Sequence, residues 1–289
     1  MSTLVQLPRK RKGTGSQKET EGTEKADMTA EILCVGTELL LGDIVNTNAQ
    51  YLSKELASIG IEVHFQTVVG DNAERILSCV RTALGRADMV VLSGGLGPTK
   101  DDMTKERIAD FFGKKLVRDR RAYDNMVQKA HEFGVFQITE GMKKQADVPE
   151  DSFILYNEAG TAPGCILEKD GKTAILLPGP PLEMKPMFET AKREYLIPKA
   201  GGVILSVNIK MKKPGEAPAE IVGEAPVAER LDDLLESGEP TVATYAKEDG
   251  CLIRVTAKGT DREEALNKII PVVVKICLRF PGAIKKIYE

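Results

Sequence analysis

The residues with the clearest chemical potential lie in one run, Ser93-Gly94-Gly95-Leu96-Gly97-Pro98-Thr99-Lys100-Asp101-Asp102-Met103-Thr104. It follows Val91-Leu92, the end of an apolar stretch that reads as a buried strand. Glycines let backbone amides close on an anionic oxygen, and a helix that starts after them adds the positive end of its dipole. Two carboxylates repel a neighbouring phosphate unless a cation lies between them. Asp101 and Asp102 therefore point to a metal-assisted nucleotide or phosphoester site. The same residues also read as a tight strand-to-helix turn with an acidic first helical turn. Asp101, Asp102 and Thr104 together favour the chemical reading.

Two further loops end strands in the same way. Gly36-Thr37-Glu38 follows the apolar run from Ile32 to Val35, and Pro178-Gly179-Pro180-Pro181-Leu182-Glu183 follows the run from Ala174 to Leu177. Strands that alternate with helices imply a parallel sheet covered on both faces, with its ligand beyond the carboxyl ends of the strands. The three loops can therefore converge there. Pro181 suits the first position of a helix, which places Glu183 in the first turn. There Glu183 either complements the helix dipole or acts as a metal ligand or general base.

The positioning elements follow from periodicity. Asn48 can cap a helix bearing Leu52, Leu56 and Ile59 and closed by Gly60. Ile61 to Val69 reads as a strand, and Asp71 with Asn72 opens a helix carrying Ile76, Val80 and Leu84. Met89 to Leu92 is the next strand, and a helix runs on through Ile108 and Phe112. Tyr123 to Phe133 is an amphipathic helix, and Cys165 to Leu177 a hairpin turning at Asp170-Gly171. After Ala200-Gly201-Gly202 the pattern changes to a strand (Val203 to Met211), a helix (Val227 to Leu235) and a hairpin (Thr241 to Ala246, Cys251 to Ala257). Thr260 with Glu263 reads as a capping box before a last helix through Cys277. The expected organisation is a disordered extension over 1–27, an α/β domain over 28–200 and a small βαββα domain over 201–289. Lys212 to Pro226 reads as a long loop.

Composition narrows the partners. A net charge of -3 gives no electrostatic case for nucleic acid or anionic membrane. The five cysteines are scattered through apolar runs, which predicts reduced core residues in a cytoplasmic protein. With two histidines in the chain, a multi-histidine centre is excluded, so any metal takes oxygen ligands. No apolar stretch reaches the roughly 20 residues of a membrane helix. The first 27 residues hold almost nothing to bury, and Met28 opens the foldable pattern as an alternative start.

Four long motifs in this order resemble the competence/damage-inducible protein A (CinA) family, and the resemblance covers nearly all of Met28 to Glu289. They are Val35 to Asn48, Ser93 to Thr104, Asn157-Glu158-Ala159-Gly160-Thr161-Ala162-Pro163-Gly164, and Leu177 to Met184. The resemblance implies a three-layer α/β/α sandwich of the molybdenum-cofactor biosynthesis, molybdopterin-binding type, followed by the smaller α+β domain. It also implies a homodimer and an ADP-ribose pyrophosphatase dependent on a divalent metal (Mg²⁺, Mn²⁺ or Co²⁺). In related cofactor enzymes the acidic positions matching Asp71 and Asp102 are the functional ones. The chain departs from the pattern at Glu140 to Ala146, where the family usually has an asparagine shortly before Lys-Gln-Ala. Longer members deamidate nicotinamide mononucleotide through a further C-terminal domain, so that activity is not expected of this chain.

The residues and the resemblance together define an expected site. Asp101, Asp102 and Glu183 are the metal ligands; Asp102, Asp71 and Glu183 are the catalytic candidates. The ligand-binding set is Gly36, Thr37, Glu38, Asn46, Asn48, Ser93, Gly94, Gly95, Gly97, Pro98, Thr99, Thr104, Pro178 and Gly179. Lys143 and Lys144 could neutralise transition-state charge or simply face solvent. The partner is a nucleotide or pterin small molecule. The competing expectation is a non-catalytic molybdopterin- or nucleotide-binding protein.

Overall fold

Side-chain alternation along β1 (Thr29–Val35) decides which helices cover which face of the main sheet. In the computed structural model, which describes residues 28–99, 102–217 and 222–289, Ile32 and Cys34 point into one core cluster. Leu33 and Val35 point into the other. The first cluster packs under α2 (Thr47–Ala57) and α7 (Pro181–Ala191) through Leu52, Leu56, Met184 and Phe188. The second lies under α3 (Ala73–Arg86) and α4 (Thr104–Phe112) through Ile76, Val80, Ile108 and Phe112. The result is a three-layer α/β/α arrangement.

The sheet has six strands, in the order β2 (Glu62–Val69), β1, β3 (Met89–Ser93), β8 (Lys172–Leu177), β7 (Gly164–Lys169) and β6 (Phe153–Leu155). The first four and β6 run in one direction and β7 alone opposes its neighbours, so the sheet is mixed, with the expected β7–β8 hairpin built into an otherwise parallel sheet. The turn at Asp170 (φ 51°) and Gly171 (φ 75°) has the left-handed pair of a type I′ hairpin. A short pair, β4 (Leu116–Arg118) with β5 (Asp147–Pro149), joins α4 to α5 (Arg120–Glu132) and α6 (Glu140–Gln145).

The second domain differs from the expected βαββα in two places. Its helix near Val227 is two short helices, α8 (Glu224–Arg230) and α9 (Asp232–Leu235), so Pro226 lies in a helix rather than at a loop end. A fourth strand, β12 (Ile284–Tyr288), follows α10 (Arg262–Arg279). The strand order is β10 (Thr241–Lys247), β11 (Gly250–Gly259), β9 (Val203–Met211), β12, all antiparallel. Among the described residues no helix is long and apolar enough to cross a membrane. The 1–27 extension and Asp101 lie outside the described residues.

Candidate functional site

The glycine loop is shaped by contacts that exclude a side chain. Gly94 has φ 114° and Gly95 φ 72°, in the region that favours glycine. A Cβ on Gly94 would stand 2.2 Å from the Val35 carbonyl oxygen, and one on Gly95 would stand 2.1 Å from Thr104 Oγ1. These two residues therefore let the end of β3 press against the end of β1 and the start of α4. The Gly94 amide donates to the Leu177 carbonyl at 3.0 Å. It belongs to the sheet and is not free to hold a ligand, contrary to the sequence expectation. Past the turn, Asp102 Oδ2 accepts from Thr99 N (3.0 Å) and Thr99 Oγ1 (2.5 Å), closing the loop on itself. Gly97 makes room for that carboxylate, since a Cβ there would lie 2.4 Å from Oδ2.

A cavity of about 390 Å³ opens on this loop. Its walls are Gly95 to Thr99, Asp102, Lys105, Glu106, and Gly141, Lys144 and Gln145 of α6. Lys105 went unnoticed in the sequence, where a lysine after Thr104 looks like an ordinary helix residue. It is 4% exposed and donates to the carbonyls of Gln145 at 2.7 Å and Lys144 at 3.3 Å. Burial pushes its ammonium below the usual lysine range. The Thr104 hydroxyl beside it is buried and has no hydrogen-bond partner. Lys143 pairs with Glu140 at 2.7 Å, on the outer side of α6.

Five more ligand candidates, Glu38, Asn46, Asn48, Ser93 and Gly179, line a second cavity of about 300 Å³ with neighbouring apolar groups, whereas Gly36, Thr37, Gly94, Thr104 and Pro178 line neither cavity. Asn46, not Asn48, caps α2, because its side chain accepts from Ala49 N. That frees Asn48 to donate to Ser93 Oγ (2.8 Å) and the Gly179 carbonyl (2.7 Å). Ser93 in turn donates to the Pro178 carbonyl at 3.1 Å. Asn48 Oδ1 is buried and unpartnered. The end of β3, the end of β8 and the start of α2 thus meet here, as the strand-end argument predicts.

Two acidic candidates stand outside both linings. Asp71 is not a helix cap, since Asn72 caps α3. Instead it accepts from Thr37 N (2.9 Å) and Thr37 Oγ1 (2.8 Å) and joins the loops after β1 and β2. Glu183 accepts from Asn157 Nδ2 at 2.6 Å. Asn157 is 2% exposed and also accepts from Ala159 N and Gly160 N, so it organises the Asn157–Gly164 motif. Among the described residues no three His, Cys, Asp or Glu side chains cluster as a metal-ligand set. Asp102 still fits a hard cation. Its Oδ2 is committed to Thr99 but among the described residues Oδ1 has no hydrogen-bond partner, and Mg²⁺ typically takes one or two carboxylates and completes its shell with phosphate and water.

Comparisons with known proteins agree with this architecture. Residues 31–197 match the family described as a probable molybdopterin binding domain, and residues 222–284 match the damage-inducible protein CinA KH domain. A Clostridium botulinum (strain Langeland) protein named competence-damage inducible is 50% identical over 250 residues, covering 86% of this chain and 59% of that protein. A CinA-like protein of Kosmotoga olearia is 47% identical over 253 residues, covering 86% of this chain and 58% of that protein. The crystal structure of the protein CinA from Thermoplasma acidophilum is 37% identical, with a TM-score of 0.52, covering 57% of this chain and 98% of that one. The chain therefore spans a little under three-fifths of the length of the curated relatives it matches. On the two domain matches, their order and these relatives, the chain belongs to the CinA family.

Proposed function

We propose that the glycine-loop cavity holds the phosphates of a nucleotide, and that the chain is a metal-dependent pyrophosphatase cleaving ADP-ribose to AMP and ribose 5-phosphate. One observation carries this reading. A glycine loop, a carboxylate with a free oxygen and a buried ammonium share the wall of one cavity. Its volume falls in the usual range of small-molecule sites. The match to a probable molybdopterin binding domain supports a pterin- or nucleotide-like ligand.

In this mechanism Asp102 would hold a divalent cation, which would supply charge neutralisation and lower the pKa of the attacking water, while Asp101, its expected partner, lies outside the described residues. Backbone of Gly95 and Gly97 and the start of α4 bind phosphate oxygens. Lys105 offsets the negative charge that grows as water adds to one phosphorus and the bridging oxygen leaves with the other phosphate. Glu38, Asn46 and Asn48 orient a sugar or base in the second cavity. Asp71 and Glu183 act through Thr37 and Asn157, as positioning residues.

The test is AMP release from ADP-ribose with Mg²⁺, Mn²⁺ or Co²⁺. Asp102→Asn keeps an acceptor for Thr99 and removes the charge, so it should retain the fold and abolish turnover. Undiminished turnover in that variant contradicts the assignment. If the unaltered protein binds ADP-ribose in a calorimeter yet releases no AMP, the non-catalytic binding protein is the correct reading.

A further inference from the structure

Two physical terms oppose a cation at Lys105, and among the described residues no carboxylate bonds it in compensation. The side chain is 4% exposed, and an ammonium is poorly tolerated away from water unless it is paired. It sits in the first turn of α4, a nine-residue helix, where the dipole favours negative charge. Its bonded partners are the neutral carbonyls of Lys144 and Gln145. The titratable groups that act on it are Cys165 of β7, Glu106 of its own helix, and Asp147 and Arg118, which are already ion-paired with each other. An unsatisfied group lies at the adjacent position, outside the cavity lining. Thr104 is 1% exposed, and its Oγ1 has no hydrogen-bond partner where it packs against Gly95. A phosphate in the cavity, which Lys105 lines, would answer the helix dipole and the ammonium together.

We propose that Lys105 is the charge-compensating residue of this cavity and makes it selective for anionic phosphoryl groups, so that ligands are chosen by their phosphoryl group before their heterocycle. The inference rests on the cavity being the ligand site and does not depend on cleavage.

Calorimetry with AMP, adenosine and inorganic phosphate tests it. The unaltered protein should bind AMP about tenfold or more tightly than adenosine, with phosphate competing against AMP. Lys105→Gln retains an amide donor for the two carbonyls and drops the charge. It should melt close to the unaltered protein and lose about tenfold or more in AMP affinity. Lys105→Met removes donor and charge, and should lose both stability and affinity. Equal affinity for AMP and adenosine in the unaltered protein overturns the proposal, and that comparison holds even if both variants unfold. AMP binding unchanged in a folded Lys105→Gln variant overturns it too. AMP binding that depends on Lys105, without AMP release from ADP-ribose, removes the pyrophosphatase and leaves this inference standing.

Discussion

Gly94 and Gly42 both have positive φ, yet they differ in what surrounds them. A Cβ on Gly42 (φ 79°) meets nothing within 4 Å, so Gly42→Ala carries only the backbone penalty, about 1–2 kcal/mol. A Cβ on Gly94 would strike the Val35 carbonyl, a backbone atom that cannot swing aside. Gly94→Ala should therefore destabilise by about 2–4 kcal/mol, the sum of backbone strain and overpacking. Urea unfolding of the two variants checks the difference, and equal losses would mean the loop relaxes freely. Cysteine chemistry follows burial in the same residue-by-residue way. Burial pushes the Cys165 thiol up to about 12, and Cys34 and Cys251 are also buried, whereas Cys79 and Cys277 are half-buried. A thiol reagent at pH 8 should modify the native protein at Cys79 and Cys277 alone, and all five cysteines once it is unfolded. Early labelling of Cys165, read by peptide mass, would contradict the packing.

At the level of elements, period and turn chemistry carried most of the main sheet, because α2, α3 and α4 each bury one clean stripe and every β-α turn has a glycine or cap residue nearby. The direction of β7 was legible too, from its hairpin with β8 at Asp170-Gly171. What the sequence did not show was β6, a three-residue strand too short to display a period. β12 escaped notice because it is an exposed edge whose Lys285 and Lys286 mask the alternation. Within the site, the loops that converge were readable from strand ends. The bonds of Asp71, Glu183 and Lys105 were not, because they join residues far apart in the chain. Caps slipped by one or two places for a related reason: the cap is the residue whose oxygen reaches the N3 amide, and several polar neighbours compete. In α10 that residue is Asp261, accepting from Glu264 N, rather than Thr260. Glu264 returns to Thr260 N (2.8 Å) and Oγ1 (2.6 Å), and those bonds hold its carboxyl at about 2, below its ordinary 4.5. A depressed folded-state pKa stabilises the helix above the ordinary value, and that contribution is lost as pH falls from about 4.5 towards 2. Glu264→Gln should flatten the fall in second-domain melting temperature over that window. Asp261→Ala should cost about 1 kcal/mol at pH 7. An unchanged acid slope in Glu264→Gln would place the sensitivity elsewhere.

The whole molecule is two cores joined by backbone. The hydrophobic clusters of the α/β domain end at Ala200, and the third cluster begins at Val207, with no residue shared. Between them three glycines meet. A Cβ on Gly60 would lie 2.6 Å from the Gly202 carbonyl group, and one on Gly202 would lie 2.1 Å from the Gly259 oxygen. Lys258 reaches Glu62 across the same junction at 3.5 Å. Contacts of this kind orient one domain on the other but bury little apolar surface, so each core should hold its own stability. The junction also lies just past the C-terminal end of α2, whereas Asn46 and Asn48 stand at its N-terminal end, more than two helical turns away. A fragment of residues 28–200 should therefore fold, melt cooperatively and bind AMP within about twofold of the full chain, since Lys105, Asp102 and both cavities lie inside it. Circular dichroism melts and calorimetry on the fragment decide the matter. A fragment that folds but loses AMP binding would show that the second domain acts on the glycine loop through α2, and would move the site's boundary into the domain junction.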